Sequence, residues 1–266
     1  VELQLPLFRR ILAQNPRVSI HLWNLARENS DDQYLKALSE PGIEIHHQFS
    51  GPRAMSRIPR VWQHYSMPRF CEHIFVKIDD DVVFLQTDRL ADFVAAVQSR
   101  PGAIVSALTV NNGASTRLMP RLWEQFETLG IPLLDVHMSN AFAEKAHNYM
   151  FEHWSELIDT PLELTDCEDW CSINCIGLDW PTLARLTNRL GHAHPRFVAG
   201  REWHPRHRIG DEGSANMESR HILQGFLAAH LGFGPQQLTG KQEALWRHSY
   251  GEIGLKYLAA RVAAQL

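Results

Sequence analysis

Residues 71–88, CEHIFVKIDDDVVFLQTD, decide how this chain is read. An apolar run from Ile74 to Ile78 meets Asp79, Asp80 and Asp81, then resumes as Val82, Val83, Phe84 and Leu85. Adjacent carboxylates repel one another and resist leaving water, so a positive partner is expected between two segments that both read as buried. A divalent metal is the leading candidate, and an ion pair with Lys77 is the local alternative. Side chains alternate along an extended backbone, which points Asp79 and Asp81 to one side and Asp80 to the other. Two carboxylates on one side suit Mg²⁺ or Mn²⁺, which in turn bridge phosphate oxygens. A lone Asp-x-Asp arises easily in loops, but one at the end of a buried strand carries more weight.

Outward from this stretch the pattern alternates. Leu90, Phe93, Val94 and Val97 form an apolar helical face, Pro101 and Gly102 stop it, and Ala103 to Val110 (AIVSALTV) reads as a strand. Upstream, Leu5 to Leu12 suggests a short helix. Arg17 to Trp23 and Gly42 to Phe49 read as strands around a helix-capable stretch, and a helix is expected between Met55 and Phe70. Repetition of strand, helix and strand predicts an α/β fold with a mostly parallel central sheet flanked by helices. The aspartates would then lie at the carboxyl end of an inner strand, where open α/β sheets bind ligands.

Downstream of Leu118 the chain reads as more helical, with segments at Leu118–Leu129, Asn140–Leu157, Pro181–Leu190, Glu218–Leu231 and Gln242–Leu266. In the fourth, Ile222, Leu223, Phe226, Leu227 and His230 share one helical face and read as packing residues. Residues 1–115 are expected to form a nucleotide- and metal-binding α/β half, and residues 116–266 a more helical half within one continuous domain.

Charge and composition narrow the function classes. The 266 residues carry 26 Lys plus Arg against 30 Asp plus Glu, a formal charge of -4, which disfavours a binder of nucleic-acid backbones. No apolar run of about 18 residues occurs, so no transmembrane segment is expected. The four cysteines, Cys71, Cys167, Cys171 and Cys175, follow neither a zinc-site spacing nor a disulfide framework and suit free thiols in a reducing, cytoplasmic setting.

With its Asp-x-Asp segment after an apolar strand, VKIDDDVVF resembles the GT-A-type nucleotide-sugar-dependent glycosyltransferases, in particular the version in Fringe-like and β1,3-galactosyltransferase enzymes. The resemblance implies a GT-A-like fold and an Mn²⁺ or Mg²⁺ ion on Asp79 and Asp81. It implies a UDP-linked sugar as donor, with Asp80 toward the sugar or ribose; Lys77, which flanks the motif, is a further candidate for donor binding. A second segment, TDCEDWCSINCIGLDW, looks like the family's Glu-Asp segment that opens a helix beneath the acceptor. That resemblance gives the general-base role to Asp169, with Glu168 as its neighbour and alternative. The family's late histidine falls first on His207 as a metal or diphosphate ligand, with His204 second and Arg206 as a phosphate contact. Asn111, in the NNG turn after Val110, is a candidate for the donor sugar, and Asp211 and Glu212 read as acceptor contacts or a solvated acidic turn. Trp170, Trp180 and Trp203 are candidates for stacking on a sugar. The chain departs from the family pattern at its start, which reads as a helix where the family has a strand.

The expectation is a metal-dependent, inverting hexosyltransferase acting on a glycan or glycoconjugate hydroxyl. A metal-dependent nucleotidyltransferase or phosphohydrolase, or an inactive sugar-binding protein, is compatible with the same residues.

Overall fold

A computed structural model describes residues 1–51, 54–232 and 240–264. Helix α1 (Leu5–Gln14) carries Pro6 in its first turn, where a missing amide hydrogen costs nothing, and buries Leu5, Leu7, Phe8 and Ile11. Strands β1 (Ile20–Trp23) and β2 (Ile43–His46) flank α2 (Asn29–Ala37) and pair in parallel as a separate two-stranded sheet. Helix α3 (Ile58–Tyr65) follows and buries Trp62. Next come β3 (Ile74–Ile78), β4 (Val82–Leu85), α4 (Leu90–Gln98) and β5 (Ala103–Val110), the last buried at every residue.

The second half adds α5 (Gly113–Thr116), α6 (Pro120–Glu127), α7 (Asn140–Ile158), β6 (Glu163–Asp166) and β7 (Cys175–Asp179). It continues with α8 (Trp180–Arg189), β8 (Phe197–Val198), β9 (Arg201–Glu202), α9 (Asp211–Ala215), β10 (Ser219–His230) and α10 (Gly240–Ala263). Local chemistry sets several starts. Ser139 accepts from the Phe142 amide at the head of α7, and the Asp179 carboxylate accepts from the Thr182 amide at the head of α8. One apolar cluster runs from Leu5 through Phe84, Phe142 and Phe226 to Tyr257.

The expected mostly parallel GT-A-like sheet is corrected by the strand pairing. The large sheet runs β3-β7-β5-β10-β4, with β6 also on β10. Only β5 and β10 are parallel, while β3 with β7, β5 with β7, β10 with β4 and β10 with β6 are antiparallel. Moreover, β3 and β4 stand at opposite ends of this order yet are joined by Asp79, Asp80 and Asp81 alone. Three residues span about 10 Å when fully extended, so the sheet must curl until its edges nearly meet, close to a barrel. Continuous apolar runs such as AIVSALTV signal burial on both faces, and that burial is equally available to a curled mixed sheet.

A second correction concerns Glu218–Leu231, expected as a helix. The structure forms β10 there, with its register against β5 shifting between Leu223 and Leu227. At Gly225 φ is +78°, and an added Cβ would come within 2.6 Å of the Thr160 carbonyl oxygen. A strand interrupted by such a bulge displaces its apolar positions from strict alternation, so Ile222, Leu223, Phe226 and Leu227 imitate a helical face.

The four cysteines are free. Among the described residues, no helix is long and apolar enough to cross a membrane.

Candidate functional site

The acidic triplet lies at the seam where the curled sheet's edges approach. The Asp79 amide donates to the Asn174 carbonyl, just ahead of β7, at 2.8 Å, whereas the Asp81 carbonyl accepts from the Leu231 amide, just past β10, at 2.9 Å. The three residues thus bridge two strands that are not neighbours. Asp80 is exposed. Asp79 is ion-paired to Lys77, whose Nζ also donates to the Ile173 carbonyl at 2.7 Å. Burial lifts the Asp79 carboxyl above its ordinary value, and Lys77 only partly offsets that.

Asp81 has a different neighbour. Its Oδ2 lies 3.5 Å from Nδ1 of His230 and accepts from the Gly232 amide at 3.3 Å. The His230 side chain is 9% exposed, and neither ring nitrogen has a well-formed hydrogen bond. Buried polar atoms are nearly always partnered, so an imidazole without one beside a carboxylate calls for a partner such as a water or an ion. The register of β10 against β4 shifts between Ala229 and His230, and such irregularities re-aim a side chain at a strand end. At Gly232, with φ +46°, the backbone passes so close to the imidazole that a Cβ would fall 2.1 Å from His230 Cε1. Burial pushes the Asp81 carboxyl up. His230, the Gly232 amide and Lys77 together outweigh it and hold the group below the usual carboxylate range.

Two buried polar side chains brace this end of β10. Asn111, at φ +64°, donates through Nδ2 to the carbonyls of Leu231 at 2.5 Å and Gly232 at 3.0 Å. Its Oδ1 is buried without a partner. The Asn111 amide nitrogen is therefore committed to the loop that carries the site. On α7, His147 contacts the Leu231 carbonyl through Nε2 at 3.1 Å and the Tyr250 hydroxyl through Nδ1 at 2.6 Å. A carbonyl only accepts, so Nε2 carries the hydrogen and the Tyr250 hydroxyl donates to Nδ1.

Burial pushes the His147 imidazole down to about 3, so it stays neutral in the fold while an unfolded chain protonates near 6.5. Its contribution to stability is complete above pH 6.5 and is lost as the pH falls toward 3. The expected loss is about 1.4 kcal/mol by about pH 5.5. Chemical denaturation of the wild type and His147→Gln across this range checks it; parallel pH dependences in the two proteins would remove His147 from the account.

Glu168 and Asp169 were expected to open a helix. Instead, residues 167–174 are irregular chain leading into β7. Asp169 forms an ion pair with Arg117 at 2.6 Å, and the Glu168 side chain is exposed while its carbonyl accepts from Arg220 at 3.2 Å. The acidic pair that does open a helix is Asp211 and Glu212, at the head of α9. Asp211 Oδ2 accepts from Trp62 Nε1 at 3.3 Å, and Glu212 Oε1 accepts from Trp170 Nε1 at 3.1 Å. Burial raises the Glu212 carboxyl above its ordinary value, with His137 and Lys77 close enough to oppose the shift. Among the described residues, the Glu212 carboxylate is held by Trp170, and no hydrogen bond or ion pair joins it to Lys77 or Asp79. The signal was a Gly-Asp-Glu-Gly run, which reads equally well as a solvated turn.

Arg206 and His207 are exposed in the chain between β9 and α9. The His207 ring stands edge-on to Trp203 at 5.8 Å, and among the described residues no ion pair or side-chain hydrogen bond joins it to Asp79 or Asp81. The position beside Asp81 is held by His230. Trp170 is buried against Trp203, at 5.3 Å between ring centroids. Compared with family models, with curated proteins and with solved structures, the chain matches none.

Proposed function

We propose that the protein is a metal-dependent hexosyltransferase that moves a sugar from a nucleoside diphosphate, UDP by resemblance of the VKIDDDVVF segment, to a hydroxyl of a glycan or glycoconjugate, with inversion. The observation that carries the proposal is the buried, unsatisfied His230 beside Asp81 at the strand seam. An imidazole nitrogen and a carboxylate oxygen at this spacing suit a divalent ion; Asp79 would have to leave Lys77 and move to join them, because its carboxylate is not gathered with Asp81 and His230 within 4.8 Å. When bound, Mn²⁺ or Mg²⁺ supplies charge that stabilises a departing diphosphate.

The remaining roles belong to the chain. Lys77, released from Asp79, offers a second positive group to phosphate oxygens. Glu212, with its affinity for a proton raised by burial, suits acceptance of the acceptor hydroxyl's proton, and Trp170 holds its carboxylate in place. The hydroxyl would attack the anomeric carbon as the bond to the diphosphate breaks, so the proton leaves to Glu212 and the negative charge leaves with the nucleotide.

Product analysis tests the class of reaction. Incubation with UDP-hexoses, Mn²⁺ and a panel of glycan acceptors is expected to release UDP in step with glycosylated acceptor. Release of pyrophosphate or inorganic phosphate would point instead to nucleotidyl transfer or phosphohydrolysis. Donor binding without product under every acceptor would leave a sugar-binding protein.

A further inference from the structure

Away from the seam, the small parallel sheet brings together a second group of metal-ligating side chains. The register of β1 on β2 pairs His21 with Glu44 and Trp23 with His46. Side chains alternate along a strand, so His21, Trp23, Glu44 and His46 share one face. The ligating atoms of His21, Glu44 and His46 all lie within 4.8 Å of one another. His46 Nε2 is 3.0 Å from His21 Nδ1 and 3.7 Å from Glu44 Oε2. From these atoms we infer that the face is a three-ligand site for a divalent transition metal of the Zn²⁺ class, tying β1 to β2.

Hydrogen bonding alone serves this cluster poorly. The Tyr65 hydroxyl accepts from Trp23 Nε1 at 2.9 Å and is itself 2.9 Å from His21 Nδ1, the atom His46 also approaches. In either tautomer, His21 Nδ1 has one lone pair or one hydrogen to offer two neighbours. One cation facing both imidazoles and the carboxylate resolves the conflict.

The geometry is close to what an ion needs. Zinc–nitrogen bonds of about 2.0–2.1 Å at a tetrahedral angle separate two nitrogens by about 3.3 Å, so the rings must part by only a few tenths of an ångström. The Glu44 side chain is 65% exposed and free to swing its oxygen inward. His46 is held in orientation by stacking on Trp23, with ring centroids 4.5 Å apart and planes 16° from parallel. Two nitrogens and one oxygen favour Zn²⁺, Ni²⁺ or Cu²⁺ over Mg²⁺ and Mn²⁺, which prefer oxygen ligands. Three protein ligands leave a fourth position for water or the Tyr65 hydroxyl.

The inference does not depend on the proposed transferase activity, and its test keeps the two sites apart. Metal-stripped full-length protein carrying Asp81→Asn, which removes the seam carboxylate, is titrated with Zn²⁺ alone and with Mn²⁺ alone by calorimetry. Thermal unfolding is followed in parallel. One equivalent of Zn²⁺ is expected to bind and raise the melting temperature, with far weaker Mn²⁺ binding, because a ligand of the folded state stabilises it by mass action. Adding His46→Gln is expected to weaken Zn²⁺ binding by more than about 100-fold, beyond the 10–100-fold typical when a supporting partner of a metal ligand is lost. Glu44→Gln, an exposed and nearly isosteric change, provides the same comparison if the histidine variant does not fold. Absence of saturable Zn²⁺ binding, or binding unchanged by Glu44→Gln and His46→Gln, would overturn the site.

Discussion

Replacing Asp81 with Asn is expected to abolish Mn²⁺-dependent binding of UDP, weakening it by more than about 100-fold, a larger loss than the removal of supporting residues around a metal usually produces. Asp79 already has a cationic partner in Lys77, whereas Asp81 faces the His230 imidazole at 3.5 Å and one backbone amide. Of the three aspartates, Asp81 thus has the most to offer an incoming cation. Asparagine keeps the shape and can still accept from Gly232, so a loss of binding reports charge and ligation. Asp80→Asn is the matched control: Asp80 is exposed, and its variant is expected to stay within about threefold of wild type, as surface substitutions usually do. His230→Gln should reproduce the Asp81 result. Calorimetry with Mn²⁺ and UDP measures all three, and an Asp81→Asn protein that binds as the wild type does would remove the seam as the diphosphate site.

The triplet's importance was legible because three carboxylates between apolar segments are costly under any fold. Its setting was not. Whether the next strand is a neighbour or lies across the sheet depends on pairings between distant residues, such as Phe75 with Leu178 and Ala228 with Leu85. Local periodicity carries no information about those partners. Ala103–Val110 was readable because an eight-residue apolar run bounded by Gly102 and Asn111 is too short for a typical buried helix. Residues 219–230 were misread for a physical reason. Gly225 permits a bulge that moves Phe226 and Leu227 out of alternation, and the helical pattern so produced hid His230 among packing residues. The polar 201–208 stretch offers the more conspicuous histidines, whereas the one beside Asp81 sits at the end of a largely apolar strand. Similarly, Glu212 was hard to distinguish from a solvated turn, since its burial depends on Trp170, more than forty residues earlier in the chain.

Glu212→Gln is expected to lower kcat by about 10²–10⁴-fold, the usual contribution of a positioned general base, while leaving Mn²⁺–UDP affinity near that of the wild type. Glutamine retains an oxygen that can accept from Trp170 Nε1, so the arrangement around α9 should persist and the loss should fall on proton transfer. The pH profile separates this role from a structural one. Burial raises the Glu212 carboxyl, so the wild-type rate should decline on the acid side at a pH above the ordinary glutamate range, as the base becomes protonated. In Glu212→Gln that limb should disappear, leaving a low rate with little dependence on acid. Asp169→Asn supplies the competing assignment. Asp169 is ion-paired to Arg117, so its carboxylate is already occupied, and this variant is expected to lose less than about tenfold. The opposite order, with Asp169→Asn crippled and Glu212→Gln unimpaired, would return the base to the 167–174 segment and make the bond from Trp170 to Glu212 a purely structural one.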